Sequence, residues 1–127
     1  MIKFKNNSDR LKKEWAELNK KNRDLREIVE YYSRIVWILW RKHCTLTDIF
    51  RTDAEQRKIY PGQPKKKSVH QFWRGVDVRD NLEYWQEEVM RRIINNKFFY
   101  DKNRPKLKTL LYHNVGRGSH GHIQNII

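Results

Sequence analysis

Apolar residues recur with a helical period in two stretches of the first third of the chain. Leu11, Trp15 and Leu18 are spaced by four and three residues behind Ser8, which predicts an amphipathic helix with a serine cap and a basic polar face. From about residue 24 to 43, Leu25, Ile28, Val29, Tyr32, Ile35, Val36 and Leu39 form one stripe of a second helix. The period then changes. Residues 45–50 are β-prone and alternate in polarity, which predicts a strand, and Asp53-Ala-Glu-Gln opens a short helix. Residues 60–67 combine Pro61, Gly62, Pro64 and three successive lysines, so they read as a loop. Residues 75–78 read as a second short strand. Asn81 is placed to cap a third helix, with Leu82, Trp85, Val89 and Ile93 on its apolar side, Glu87, Glu88, Arg91 and Arg92 in water, and an end near Asn95-Asn96. Two apolar runs, residues 110–112 and 122–126, flank a glycine-bearing turn at 116–120 and predict a terminal hairpin.

At 127 residues the chain has room for one core, and residues 1–22 read as a basic N-terminal helical extension to a single domain at 23–127. Cys44 is the only cysteine, which excludes an internal disulfide and a cysteine-rich metal knuckle; a buried thiol is expected. The longest apolar run, residues 35–40, falls far short of the roughly 20 residues needed to cross a bilayer as a helix. The N-terminus has no secretory signal, so a soluble protein made in the cytoplasm is expected. Lys and Arg total 28 against 15 acidic residues, a formal charge of +13 that draws the chain to polyanions without saying which. Nucleic acid, anionic lipid and anionic cell-wall polymers all qualify, with attraction that weakens as salt is added.

Candidate chemistry centres on His120-Gly-His122. Residues two apart on a strand project from one face, so both imidazoles address one site, and Gly121 leaves the opposite face empty. Imidazole both binds zinc and titrates near neutrality, which suits a ligand paired with a proton-transfer group. His70 and Asp77 lie seven positions apart, an odd spacing that sends them to opposite faces of a continuous strand. The chain must therefore turn between them, with His70 on a loop and Asp77 in the strand that follows. Gly75, two positions before Asp77 on the same face, leaves room for a metal or substrate to approach the backbone.

Ser68-x-His70, Asp77 seven residues after that histidine, and a distal His120-x-His122 resemble the pattern of the zinc D-Ala-D-Ala carboxypeptidases and L-Ala-D-Glu endopeptidases of bacteria and phages, relatives of lysostaphin-type and hedgehog-type metallopeptidase folds. The order of elements from about residue 25 to 127 is similar as well. The resemblance implies an α+β fold, a small antiparallel sheet with helices packed on one side and a zinc site on the sheet. Carried over by position, it implies His70, Asp77 and His122 as zinc ligands with a fourth position left for water. It implies His120 as the catalytic proton-transfer residue, and Arg51 and Ser68 at the substrate, Arg51 holding a carboxylate in its guanidinium fork. The implied substrate is a peptidoglycan stem peptide, and charge would concentrate such an enzyme on anionic wall polymers. A phage lysis or virion enzyme, released to act at the cell wall, is the source this suggests.

Four positions depart from the pattern. Trp73 and Gly75 stand where glycine and a small residue, often alanine, are usual. Asp48 replaces a common serine three positions before Arg51, where it can pair with that arginine. No glutamate lies just ahead of His120. His113, on a hairpin strand, is expected to pack or hydrogen-bond rather than to bind metal. His43 sits near a helix C-terminus, where a positive charge is favourable. Tyr31, Tyr32, Trp37 and Trp40 are expected in the core.

Two other functions compete. The +13 charge, the lysine cluster at 65–67 and the aromatic residues suit a nucleic-acid binder or a single-strand nicking enzyme using His120-x-His122, with Tyr84 or Tyr100 as nucleophile. A non-catalytic virion or wall-binding protein is the third reading, against which the intact ligand set argues.

Overall fold

A computed structural model describes residues 1–63, 67–114 and 119–126. Lys65 and Lys66 of the lysine cluster, and residues 116–118 of the predicted turn, lie outside the described residues. The fold is α+β, as expected. Its elements run β1 (Ile2–Phe4), α1 (Asp9–Lys21), α2 (Arg23–Trp40), β2 (Cys44–Asp48), α3 (Asp53–Ile59), β3 (Gly75–Arg79), α4 (Tyr84–Lys97), β4 (Leu110–Asn114) and β5 (Ser119–Gln124). A 3-10 turn, Val69–Phe72, precedes β3.

The strands form one sheet in the order β1-β2-β3-β5-β4. It is mixed rather than wholly antiparallel, because β1 lies parallel to β2, with Ile2 opposite Cys44 and Phe4 opposite Leu46. A parallel neighbour needs a long crossover, which α1 and α2 supply. Residues 1–22 thus contribute an edge strand and a helix whose Leu11, Trp15 and Leu18 join the common core. Serine capping is as predicted: Ser8 Oγ accepts from Leu11 N at 3.2 Å.

Alternation along the strands divides the sheet into two faces. Cys44, Leu46, Val76, Val78, Leu110 and Ile123 turn to the helices and are fully buried, as are Leu25, Val29, Tyr32 and Val36 of α2 and Met90 and Ile94 of α4. Each such aliphatic side chain contributes roughly 1.5–3 kcal/mol by leaving water. Asp77, His122 and Gln124 occupy alternate positions and so face the other way.

Three details differ from the reading of the sequence. Leu39 is 47% exposed, because Trp40, four residues beyond the buried Val36, takes the stripe's last place and packs on the core. Glu83 and not Asn81 caps α4: its N–H donates to Gln86 Oε1 at 2.8 Å, while Asn81 holds a left-handed φ of 55° before the helix begins. The buried face of α4 is also displaced by one residue, to Gln86, Glu87, Met90 and Ile94, leaving Trp85 exposed in an edge-on contact with Trp40. Glu87 was expected in water; it is buried and accepts from Ser119 Oγ at 2.5 Å. Among the described residues no helix is long and apolar enough to cross a membrane.

Candidate metal centre

The register of the sheet brings the first two residues of the site together. Asp77 of β3 and His122 of β5 are direct cross-strand partners on the face away from the helices, where opposed Cβ atoms stand roughly 4.5–5.5 Å apart. His122 Nδ1 lies 2.8 Å from Asp77 Oδ1. His70 reaches the same oxygen from the 3-10 turn, with its Nε2 at 3.3 Å. Ser68 closes that turn: its Oγ accepts from His70 N at 3.2 Å, and its own N–H donates to Gln71 Oε1 at 3.0 Å. The Ser68 hydroxyl, placed at the substrate by resemblance, is engaged in this cap.

One donor atom from each of His70, Asp77 and His122 lies within 4.8 Å of the others, a group at metal-binding distance. The nitrogens pointing away from it face acceptors. His70 Nδ1 is 3.3 Å from the carbonyl oxygen of Ile49, to which it must donate. His122 Nε2 is 3.1 Å from Gln124 Oε1. His70 is 3% exposed. Burial pushes Asp77 toward higher pKa, but hydrogen bonds from and charges on His122 and His70 outweigh it and hold the carboxyl well below the usual carboxylate range. Burial lowers His70, while Asp77 raises it further, so its net shift is upward.

His120 lies one alternation along β5 from His122, opposite His113 of β4, with the two rings 5.8 Å apart. His113 is also 6.1 Å from the His122 ring. Desolvation, then the charges of His122 and His120, lower its pKa. His120 Nδ1 is buried with no hydrogen-bond partner among the described residues.

Arg51 is close by: its N–H donates to the His70 carbonyl at 3.4 Å. Its guanidinium is occupied from within the chain, Nη2 by Asp48 Oδ2 at 2.5 Å and Nη1 by Gln56 Oε1 at 2.7 Å. A register shift in the β2–β3 pairing sets Asp48 opposite Asp77, so a second carboxylate borders the centre with its charge tied to Arg51.

Two glycine expectations change. The space beside Gly75 is taken: an added Cβ would stand 2.5 Å from Val69 Cγ2 and 3.0 Å from His122 Cε1. The face behind Gly121 is likewise filled, with Val78 Cγ2 2.9 Å from the position of a Cβ and Tyr112 Cε1 at 3.2 Å. Trp73 adopts a left-handed φ of 57° at the end of the 3-10 turn, and its ring stacks on Phe50 with centroids 4.6 Å apart. The turn is also held from a distance. Asn22, the N-cap of α2, donates to the Trp73 carbonyl at 2.8 Å and to Asn125 Oδ1 at 2.6 Å, and Asn125 returns a bond to Asn22 Oδ1 at 3.1 Å.

The reading of the sequence missed Gln124, Gln56 and the Ile49 carbonyl. Gln124 carried a signal, since it lies two positions beyond His122 on the same strand face. The other two had none. Set against known protein families, curated proteins and solved structures, the chain matches none.

Proposed function

We propose that the chain is a zinc-dependent peptidase that hydrolyses an amide bond in peptidoglycan stem peptides, with His70, Asp77 and His122 as the metal ligands. One observation carries the reading: two imidazole nitrogens converge on a single oxygen of Asp77, while both outward nitrogens face acceptors and so hold their protons there. Without a cation the inward nitrogens donate to Asp77; once both histidines are neutral, they turn two lone pairs toward the carboxylate. A cation between them makes that arrangement favourable, and a donor set of two nitrogens and one oxygen suits zinc with one position open.

When bound, zinc polarises a carbonyl and brings the pKa of a coordinated water to about 7. The chain's part is to hold the ligands, to exclude bulk water around the deeply buried His70, and to offer His120 as a proton carrier on the same strand face. Arg51 lies beside the centre through its backbone bond to the His70 carbonyl, and its guanidinium, now held by Asp48 and Gln56, is the group assigned to a substrate carboxylate.

The peptide and cell-wall assignment draws its support from the spacing of Ser68, His70, Asp77, His120 and His122, and from the charge of +13, which favours anionic wall polymers. Work at the wall of a bacterial cell, as a phage lysis or virion enzyme, is suggested by small size, high positive charge and analogy with the enzymes of this motif pattern. Elemental analysis of the purified chain is expected to find about one zinc per chain, and sacculi are expected to release peptides in a reaction that a chelator abolishes. A zinc-free chain refutes the centre. Zinc without peptide release, or nicking of single-stranded DNA with magnesium or manganese, refutes the peptidase.

A further inference from the structure

Gln124 makes two hydrogen bonds that its amide can make in only one orientation. Its Nε2 donates to the carbonyl oxygen of Lys108 at 2.9 Å, and a carbonyl accepts but never donates. That fixes the amide, leaving Oε1 toward His122 Nε2 at 3.1 Å. An amide oxygen can only accept, so Nε2 of His122 must carry the proton and Nδ1, 2.8 Å from Asp77, is the nitrogen left to bind a cation. The neighbouring backbone reinforces this setting: Gln124 N donates to the Thr109 carbonyl at 2.9 Å, which keeps residues 108 and 109 against the end of β5.

We infer that Gln124 is a positioning residue that selects the metal-binding tautomer of His122, through an amide locked by the Lys108 carbonyl. The inference rests on the zinc reading above, and it assigns to Gln124 a role that no ligand motif contains. His70 is held in the same manner by the Ile49 carbonyl, a main-chain group that substitution cannot remove. Among the described residues, Gln124 is the outer partner of the two histidines that mutagenesis can reach. Losing such a partner typically weakens metal binding roughly 10–100-fold, because the free imidazole then divides between tautomers and ring orientations.

Two variants separate this role from simple support of the sheet. Gln124→Met keeps the length of the side chain and loses both hydrogen bonds. Gln124→Glu keeps an acceptor for His122 Nε2 but has no N–H for the Lys108 carbonyl. Zinc affinity of the full chain, measured by competition with a chromophoric chelator, is expected to fall roughly 10–100-fold in Gln124→Met and to stay within about threefold of the wild type, or tighten, in Gln124→Glu. Melting of the zinc-free proteins shows whether both variants fold. Equal loss of affinity in the two variants overturns the inference in favour of a structural bond to Lys108, as does wild-type affinity in Gln124→Met. Failure of the wild type itself to bind zinc overturns the metal centre, and the inference with it.

Discussion

Asp48 Oδ2 and Arg51 Nη2 meet at 2.5 Å beside the His70–Asp77–His122 group, in an ion pair whose arginine side chain is only 12% exposed. The pair occupies the guanidinium edge that a substrate carboxylate would need, and Gln56 takes the adjoining nitrogen. Replacing Asp48 with serine frees that edge. The ratio of kcat/KM for a stem peptide ending in a free carboxylate to that for its C-terminal amide is expected to rise roughly tenfold in Asp48→Ser, the worth of one charge-assisted hydrogen bond. Arg51→Ala should abolish the gain in the double variant. A ratio that Asp48→Ser leaves unchanged places the carboxylate elsewhere.

Gly75 has no room for a side chain. An alanine Cβ there collides with Val69 Cγ2 and presses on His122 Cε1, so Gly75→Ala is expected to cost about 1–3 kcal/mol and to weaken zinc binding by displacing the His122 ring. Because the closest obstruction is a valine methyl, Val69→Ala in the same chain should restore much of both losses. Denaturant unfolding and zinc titration of the single and double variants read the two effects separately.

Asp80 lies behind the sheet, where it accepts from Tyr32 Oη, which stands 2.7 Å from Tyr112 Oη. Desolvation, opposed by that hydrogen bond and assisted by the charge of Glu87, pushes its carboxyl up to about 6. A carboxyl whose pKa is higher folded than unfolded binds its proton more tightly in the folded state. Stability from this group is therefore full below the unfolded value near 4 and falls as pH rises through about 6, by about 3 kcal/mol in all. Asp80→Asn removes the dependence, so it should exceed the wild type in stability at pH about 8 and lose that advantage at pH about 4. Urea unfolding at the two pH values decides it.

Trp73 sets two effects against each other. Glycine at its left-handed position relieves roughly 1 kcal/mol of backbone strain, while removal of the indole loses its stacking on Phe50 and its share of the core. The lost packing outweighs the relieved strain. Trp73→Gly is expected to lower stability by about 1–3 kcal/mol, as thermal unfolding would report.

Local periodicity made much of this fold legible. The helix at Arg23–Trp40, the strand containing Asp77 and the closing strands carrying His122 follow from apolar spacing, since each element's own residues decide its type. The edge strand at Ile2–Phe4 did not follow, because three residues with a lysine among them form a strand only when Cys44, Thr45 and Leu46 are there to pair with. Nor did the inward turn of Glu87, which depends on the Ser119 hydroxyl more than thirty residues away. Within the centre, residue type and spacing singled out His70, Asp77, His120 and His122, and the choice of His70, Asp77 and His122 as ligands came from the resemblance. The groups that aim them were invisible for a physical reason: the Ile49 carbonyl has no letter in a sequence, and an amide such as Gln124 looks like any surface glutamine until the register shows what it faces.

Asn22 and Asn125, joined by reciprocal hydrogen bonds across 103 positions, are a clasp on this turn. The clasp fastens the start of α2 and the residue just after β5 to the turn that carries His70, so a side chain lost at residue 22 or 125 loosens that turn from parts of the chain far apart in sequence.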